Sequence, residues 1–246
     1  MIKKLLIIFF LFLATPCFVF ANNLKDSDMD GIPNIDEINI YYTDPNNRDT
    51  DSDGYSDWTE LNFGYSPHNP KPIKLEDNDY DNDGLSDRME LNFHTNIAIA
   101  DTDIDGYNDG DEIKNGYDPL NKEKIKLKKR IEINTDSQKL SYFLGGVRMG
   151  KFIISSGINN STPKGYYAVS NKSPKAWSHY GLWMPWWMGL NSGRIGIHEL
   201  PVWPNGYREG EDHLGTPVSH GCIRLGVDSA EFLYNWTPIN TEVFIY

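Results

Sequence analysis

An acidic loop, written four times, constrains this chain more than any other feature. The copies are Asp26-Ser27-Asp28-Met29-Asp30-Gly31, Asp49-Thr50-Asp51-Ser52-Asp53-Gly54, Asp79-Tyr80-Asp81-Asn82-Asp83-Gly84 and Asp101-Thr102-Asp103-Ile104-Asp105-Gly106. Six residues after each glycine stands a glutamate: Glu37, Glu60, Glu90 and Glu112. Carboxylates at positions 1, 3 and 5, glycine at 6 and glutamate at 12 are the spacing of a calcium loop. Alternate side chains converge on one centre, the glycine permits the sharp turn, and the glutamate closes the shell with two oxygens. Hard oxygen donors with no cysteine or histidine in the pattern favour calcium over zinc. Residues 26–112 hold 24 acidic and 4 basic residues, a net −20. Such a segment repels itself unless something neutralises it. A solvated acidic tail would not keep this phase through four copies.

The intervals recur as well. Glu60-Leu61-Asn62-Phe63-Gly64-Tyr65 is similar to Glu90-Leu91-Asn92-Phe93-His94-Thr95. The linkers are too short for the paired long helices of an EF-hand. Residues 24–121 resemble bacterial thrombospondin type 3-like repeats, which implies structural calcium that orders the array. Apolar residues are sparse, so the expectation is a calcium-loop array with little regular structure that needs metal to order. The first loop is expected to bind most loosely, because Asn34 takes position 9, where the others have Asp57, Asp87 and Asp109. Three uses suit the repeats: a rigid spacer, a docking surface for envelope proteins, or a calcium gate on secretion and folding.

The rest of the chain is different material. Residues 113–246 carry 11 acids and 16 bases, which argues for a second domain. Met1–Ala21 reads as a secretory signal, with Lys3 and Lys4 before the apolar run Leu5–Leu13 and small residues near Ala21. The run is short for a membrane span, and a lipoprotein site at Cys17 is disfavoured by Pro16 before it. The expected organisation is a signal over 1–21, calcium repeats over 22–121, a basic linker over 122–130 and a catalytic domain over 131–246. The linker holds Lys122, Lys124, Lys126, Lys128, Lys129 and Arg130. It reads either as a seam docked on the acidic array or, preferably, as an edge strand protected by lysines. Export and overall acidity exclude nucleic acid as a partner. No transmembrane span is expected after signal cleavage.

From Lys126 onward the pattern is short alternating runs punctuated by glycine and proline. Arg130–Asn134, Leu140–Leu144, Lys151–Ser155 and Glu242–Tyr246 read as strands, and Asp228–Asn235 as a helix with Asp228 as N-cap. The fold class expected is a mostly β domain, sandwich- or barrel-like, with one short helix.

Once the signal is removed, Cys222 is the only cysteine. It is not half of an internal disulfide, so it is a packed hydrophobe, an intermolecular link or a nucleophile. His198 followed by Ser219-His220-Gly221-Cys222-Ile223-Arg224 resembles the signature of the L,D-transpeptidase catalytic domain, and the likeness extends over about residues 128–246. Thr162-Pro163-Lys164-Gly165 is similar to that family's turn before a strand. Two departures stand out. Twenty residues separate His198 from Ser219, an extended loop, and Glu199 stands where the family often has glycine.

The resemblance implies roles. Cys222 is the nucleophile and His198 its general base, oriented by the carbonyl of Glu199. The amides of Gly221 and Cys222 hold the oxyanion. Ser219 and His220 support the turn, and Arg224 either binds a substrate carboxylate or makes a structural ion pair. The aromatic run Tyr180–Met188 is core packing by default and a substrate wall as the sharper alternative. The implied reaction is peptidoglycan crosslinking, which bears on cell-wall organisation and cell shape. Cys222 attacks the third-residue carbonyl of a stem tetrapeptide, expels the terminal D-alanine, and the thioester passes to an amine. No cofactor is implied for catalysis. Two alternatives remain: a carboxypeptidase or endopeptidase on the same scaffold, and a calcium-dependent envelope-binding protein with an inactive thiol. The expected location is beyond the inner membrane, in the periplasm or cell wall.

Overall fold

The computed structural model describes residues 24–191 and 193–246. The candidate export signal over Met1–Ala21, with Cys17, lies outside the described residues. No helix among the described residues is long and apolar enough to cross a membrane. Packing divides the chain into two units, one ending at Lys71 and one beginning at Pro72. The compositional boundary expected at 122–130 falls inside the second unit.

The first unit contains loops one and two. Their backbones follow one path: Met29 and Ser52 are left-handed (φ 61° and 65°), and Gly31 and Gly54 follow at φ 109° and 102°, where a side chain would be strained. Loop one runs into helix α1 (Asn34–Asp36), which continues as a wider turn over Glu37–Tyr41. Loop two runs into α2 (Asp57–Phe63), capped by Ser56 Oγ accepting from Thr59 N and closed by left-handed Gly64. The loops are tied together by Trp58 N–H, which donates to Asp30 Oδ2 at 3.0 Å across 28 residues. Ile32 is the one buried large aliphatic side chain among the described residues of this unit, whereas Asp30, Glu37, Thr43, Asp57, Glu60, Ser66 and His68 are buried polar or charged residues. Its interior is therefore mostly polar, with four carboxylates.

The second unit begins with loops three and four, which lead into α3 (Asp87–Phe93) and α4 (Asp109–Asn115). Gly110 N–H donates to Asp83 Oδ2 at 2.7 Å, the counterpart of the Trp58–Asp30 bond. Here, however, Leu85, Phe93 and Ile113 bury themselves against Leu144, with Leu127, Val147 and Trp236 around them. The basic stretch docks on the fourth repeat: Lys124 and Lys126 lie over the Tyr107 and Tyr117 rings at 3.7 and 3.6 Å. The preferred edge-strand reading of that stretch is corrected. Lys129 and Arg130 open a strand that is hydrogen-bonded on both sides.

That strand, β1 (Lys129–Asn134), belongs to a closed barrel with β2 (Lys139–Leu144), β3 (Val147–Ser155), β4 (Gly165–Trp177), β5 (Trp183–Leu190), β6 (Gly196–Glu199), β7 (Ile223–Leu225) and β8 (Glu242–Ile245). The order around it is β1-β2-β3-β7-β6-β5-β4-β8, which leaves no open edge. Neighbours are antiparallel except β1 with β8 and β6 with β7. Alternation drives the core: Ile131, Ile133, Leu140, Ile197, Ile223, Val243 and Ile245 point inward and are buried. Helix α5 (Val227–Trp236) adds Ala230 and Leu233 to that core. Its N-cap is Gly226, so Asp228 is not the cap but a first-turn residue, where a carboxylate still favours the helix dipole. The β-barrel form of the expected mostly β domain follows from β8, which bridges β1 and β4.

Candidate active site and metal loops

The parallel pair β6 and β7 assembles the cysteine site. Register sets Ile197 beside Ile223 and His198 beside Arg224. Both isoleucines face the core, so the period of two turns His198, Arg224 and Cys222 to the opposite face. All three line one cavity of about 270 Å³, together with Ser219 and His220.

His198 is almost wholly buried. Its Nδ1 lies 2.5 Å from the Glu199 carbonyl oxygen. A carbonyl can only accept, so Nδ1 carries the proton and Nε2 keeps its lone pair. Burial pushes the imidazole down to about 4, with the Arg224 charge adding to the effect and the Glu199 carbonyl opposing it. Burial likewise pushes the Cys222 thiol up, opposed by the Gly196 backbone and the Arg224 charge. At neutral pH the pair is thus a neutral thiol beside a neutral imidazole, not a thiolate–imidazolium pair.

Ser219 fastens the turn that presents Cys222. Its Oγ donates to Cys222 O at 2.6 Å and accepts from Gly221 N at 3.0 Å. The Gly221 amide, one of the two expected to hold an oxyanion, is therefore committed inside the turn. Gly221 sits at φ 140°, and a Cβ there would stand 3.3 Å from Ser161 O, so glycine is required. Thr162, placed by the sequence only in a turn, is a buried brace. Its Oγ1 accepts from Gly157 N at 2.7 Å and donates to Gly221 O at 2.9 Å. Ser219 N–H donates to Ser156 O at 2.9 Å, and Gln138 holds Ser156 through its side-chain amide, with Ser156 N to Gln138 Oε1 at 2.8 Å. Nothing in the pattern around Gln138 signals that role. The adjacency of Thr162 and Pro163 is the signal for Thr162.

His220 is exposed and stacks on Tyr180, centroids 4.3 Å apart. The aromatic run divides between the two readings offered for it. Trp186, left-handed at φ 53°, packs on Tyr234 and the core with Met188. Tyr180, Met184 and Trp187 line the cavity, and Trp187 lies 5.8 Å from the His198 ring. Arg224 is buried, and that burial works against its charge and pushes the guanidinium down, opposed by Glu209 from the extended loop.

The acidic loops have the fit a hard cation demands. In each, the first three aspartates bring a ligand oxygen within 4.8 Å of one another: Asp26, Asp28 and Asp30; Asp49, Asp51 and Asp53; Asp79, Asp81 and Asp83; Asp101, Asp103 and Asp105. Buried oxygens without hydrogen-bond partners accumulate there, including Asp28 Oδ2, Glu37 Oε2, Asp51 Oδ2, Glu60 Oε2, Asp79 Oδ1, Asp81 Oδ2, both of Glu90, both of Asp103 and both of Glu112. Buried polar atoms ordinarily have partners, and all of these are oxygen. Burial first, then the neighbouring aspartates, pushes Glu37 and Glu112 up to about 7, Glu60 to about 8 and Glu90 to about 9. A divalent cation at each centre removes that penalty.

Position 9 has another job. Asp57 accepts from Thr50 N and Oγ1 at 2.9 and 2.7 Å, and Asp109 accepts from Thr102 at 3.0 and 2.6 Å. Asn34 does the same in loop one, accepting from Ser27 N at 2.8 Å and donating to Ser27 Oγ at 2.9 Å. Position 9 thus clamps the loop's second residue in loops one, two and four, and Asn34 makes that clamp with an amide where Asp57 and Asp109 use a carboxylate.

Comparison with known proteins finds a family match in each half, and the repeat match covers loops three and four only. Residues 128–245 match the family model of the L,D-transpeptidase catalytic domain, and residues 79–96 and 101–122 match that of the bacterial TSP3 repeat. YciB of Bacillus subtilis strain 168, a provisionally assigned L,D-transpeptidase, is 29% identical over 127 residues, 47% of this chain and 64% of that protein. This chain thus spans less than two thirds of that relative's length. Among solved structures, an L,D-transpeptidase from Mycobacterium smegmatis is 19% identical, with TM-score 0.43 over 49% of this chain and 59% of its own. L,D-transpeptidase 3 from Mycobacterium tuberculosis is 19% identical, with TM-score 0.43 over 49% and 62%.

Proposed function

We propose that the L,D-transpeptidase catalytic domain at residues 128–245 is a working acyltransferase on peptidoglycan stem peptides, with Cys222 as nucleophile and His198 as base. The observation that carries this is the bond from His198 Nδ1 to the Glu199 carbonyl, which fixes the tautomer with Nε2 free to accept the thiol proton, in the cavity that Cys222 shares. As Sγ attacks the carbonyl carbon of the stem's third residue, its proton passes to His198 Nε2. The Cys222 amide faces the developing oxyanion. The C–N bond to the terminal D-alanine breaks, and the leaving amine takes the proton from His198. An acceptor amine then attacks the thioester and gives its proton to the imidazole, which returns it to the sulfur. Tyr180 and Trp187 form an aromatic wall for the stem or its glycan, and Arg224, whose buried Nε has no hydrogen-bond partner among the described residues, is the cation offered to a substrate carboxylate.

In this reading calcium is structural and stays out of the chemistry. The residues that would hold it are Asp26, Asp28, Asp30 and Glu37 in loop one and their equivalents in the other three. Export to the envelope follows from where the substrate lies, and the repeats act as a metal-ordered spacer.

Mass spectrometry of muropeptides incubated with the protein tests the reaction. Crosslinked dimers are the expected product, and Cys222→Ala abolishes them. Shorter monomers alone would make the protein a hydrolase, and turnover that survives Cys222→Ala would remove the nucleophile assignment. The pH profile tests the base. An imidazole at about 4 stays neutral, and competent, at every pH well above that value. The acid limb of kcat/KM is therefore expected to fall with a midpoint near 4, and a midpoint near the ordinary histidine value would contradict the buried, neutral base.

A further inference from the structure

The loop that lengthens this chain between His198 and Ser219 returns two adjacent charges to the site. Val202 is bridged to Trp183 and to Arg208, and Trp203 N–H donates to Tyr207 O at 2.7 Å. The stretch is thus a small hairpin anchored to β5, and Arg208 stands on its return strand. The Arg208 guanidinium reaches back to Glu199, with Nε and Nη2 at 2.9 and 2.8 Å from the same Oε1. The next residue, Glu209, supplies the charge that favours Arg224, the register partner of His198.

Glu199 is the residue whose carbonyl holds the imidazole. Its side chain is only 3% exposed, against 35% for Arg208. Asp228 and Glu231 on α5 add unfavourable charge to that carboxylate, and Arg208 is the cation that offsets them. A buried carboxylate stripped of its partner is costly enough to move. Moving the side chain drags the Glu199 peptide unit, and with it the acceptor of His198 Nδ1. The other end of that same peptide unit is held by the ladder, where Leu200 N–H donates to Leu225 O at 2.9 Å, so the Glu199 side chain is the second of its two anchors.

We propose that Arg208 is a positioning residue for the His198 imidazole, acting through the buried Glu199 carboxylate to hold the carbonyl that fixes the ring's tautomer and direction. The extended loop is then part of the base's mounting. This inference rests on the reading of His198 as the base of Cys222.

The test measures the rate at which iodoacetamide alkylates Cys222, followed on the Cys222 peptide by mass spectrometry, beside kcat and KM for muropeptide turnover. Arg208→Ala is expected to slow both alkylation at pH 7 and kcat by about tenfold, with KM within about twofold, and His198→Ala sets the floor. Arg208→Lys keeps the charge but not the fork and is expected to fall between. Glu199→Gln combined with Arg208→Ala removes the stranded charge and is expected to recover most of the rate. If Arg208→Ala lowers the melting temperature but alkylates and turns over as wild type, its role is merely structural and the proposal is overturned. Should Arg208→Ala fail to fold, Arg208→Lys decides by the same two rates. Alkylation that responds to Arg208 in a protein with no muropeptide turnover would sink the proposed reaction and leave the positioning role intact.

Discussion

Each pair of loops buries four acidic residues, but loops one and two bury only Ile32 as a large aliphatic side chain, whereas loops three and four bury Leu85, Phe93 and Ile113 against Leu144 of the barrel. The ligand spacing is the same in all four. Each pair is also tied by the same bond, from the residue after position 9 to the position-5 aspartate of the preceding loop. What differs is what remains if the metal is taken away. The first pair would keep a carboxylate interior with almost no apolar burial, while the second would keep a hydrophobic cluster continuous with a folded barrel. The unit of this array is therefore two loops, and under the proposed calcium reading the metal would make the first pair's fold and refine one that the second pair already shares.

Core truncation should separate the pairs most strongly. Ile113→Ala removes packing shared with Leu144, so a loss of about 2–5 kcal/mol is expected, seen as a lower unfolding midpoint for the barrel itself. Ile32→Ala should leave the barrel midpoint unchanged and weaken calcium binding in the first pair. Equal effects of the two on the barrel would erase the distinction.

Gly110 gives a smaller and more local test. Alanine in an open helix position gains about 1 kcal/mol over glycine. Here an added Cβ would lie 2.5 Å from Asp83 O, so the clash outweighs propensity, and Gly110→Ala is expected to lower calcium affinity in loops three and four together. A stabilised variant with unchanged calcium titration would show that the tie between those loops is dispensable. The smallest effect belongs to Asn34. Asn34→Asp should be nearly neutral in calcium affinity, whereas Asn34→Ala, which strands Ser27 N–H, should cost about 1 kcal/mol. A marked gain in affinity for Asn34→Asp would restore position 9 as a ligand.

Legibility followed sequence distance. The loop ligands and the Ser219–Arg224 turn were readable because their geometry is set within a dozen residues. The bonds from Trp58 to Asp30 and Gly110 to Asp83 span 28 and 27 residues, and no local pattern announces them, so the pairing of the loops could not be read. His198 and Cys222 could be paired only by resemblance. The register of β6 on β7 supplies the physical reason: it sets both on the face away from Ile197 and Ile223. Lys129 and Arg130 read as an edge because alternation shows which face a residue takes but not what lies beside the strand. Glu199 and Arg208 were visible as residues, yet their contact depends on the hairpin between them.

Hydrogen exchange of the whole protein, with calcium and after chelation, tests the division of labour most directly. The account predicts near-complete loss of protection over residues 24–71, partial loss over loops three and four, and unchanged protection through β6, the Ser219–Cys222 turn and β7, with Cys222 alkylation unaltered. Uniform loss across all four loops, or loss of protection at His198 and Cys222 on chelation, would contradict it.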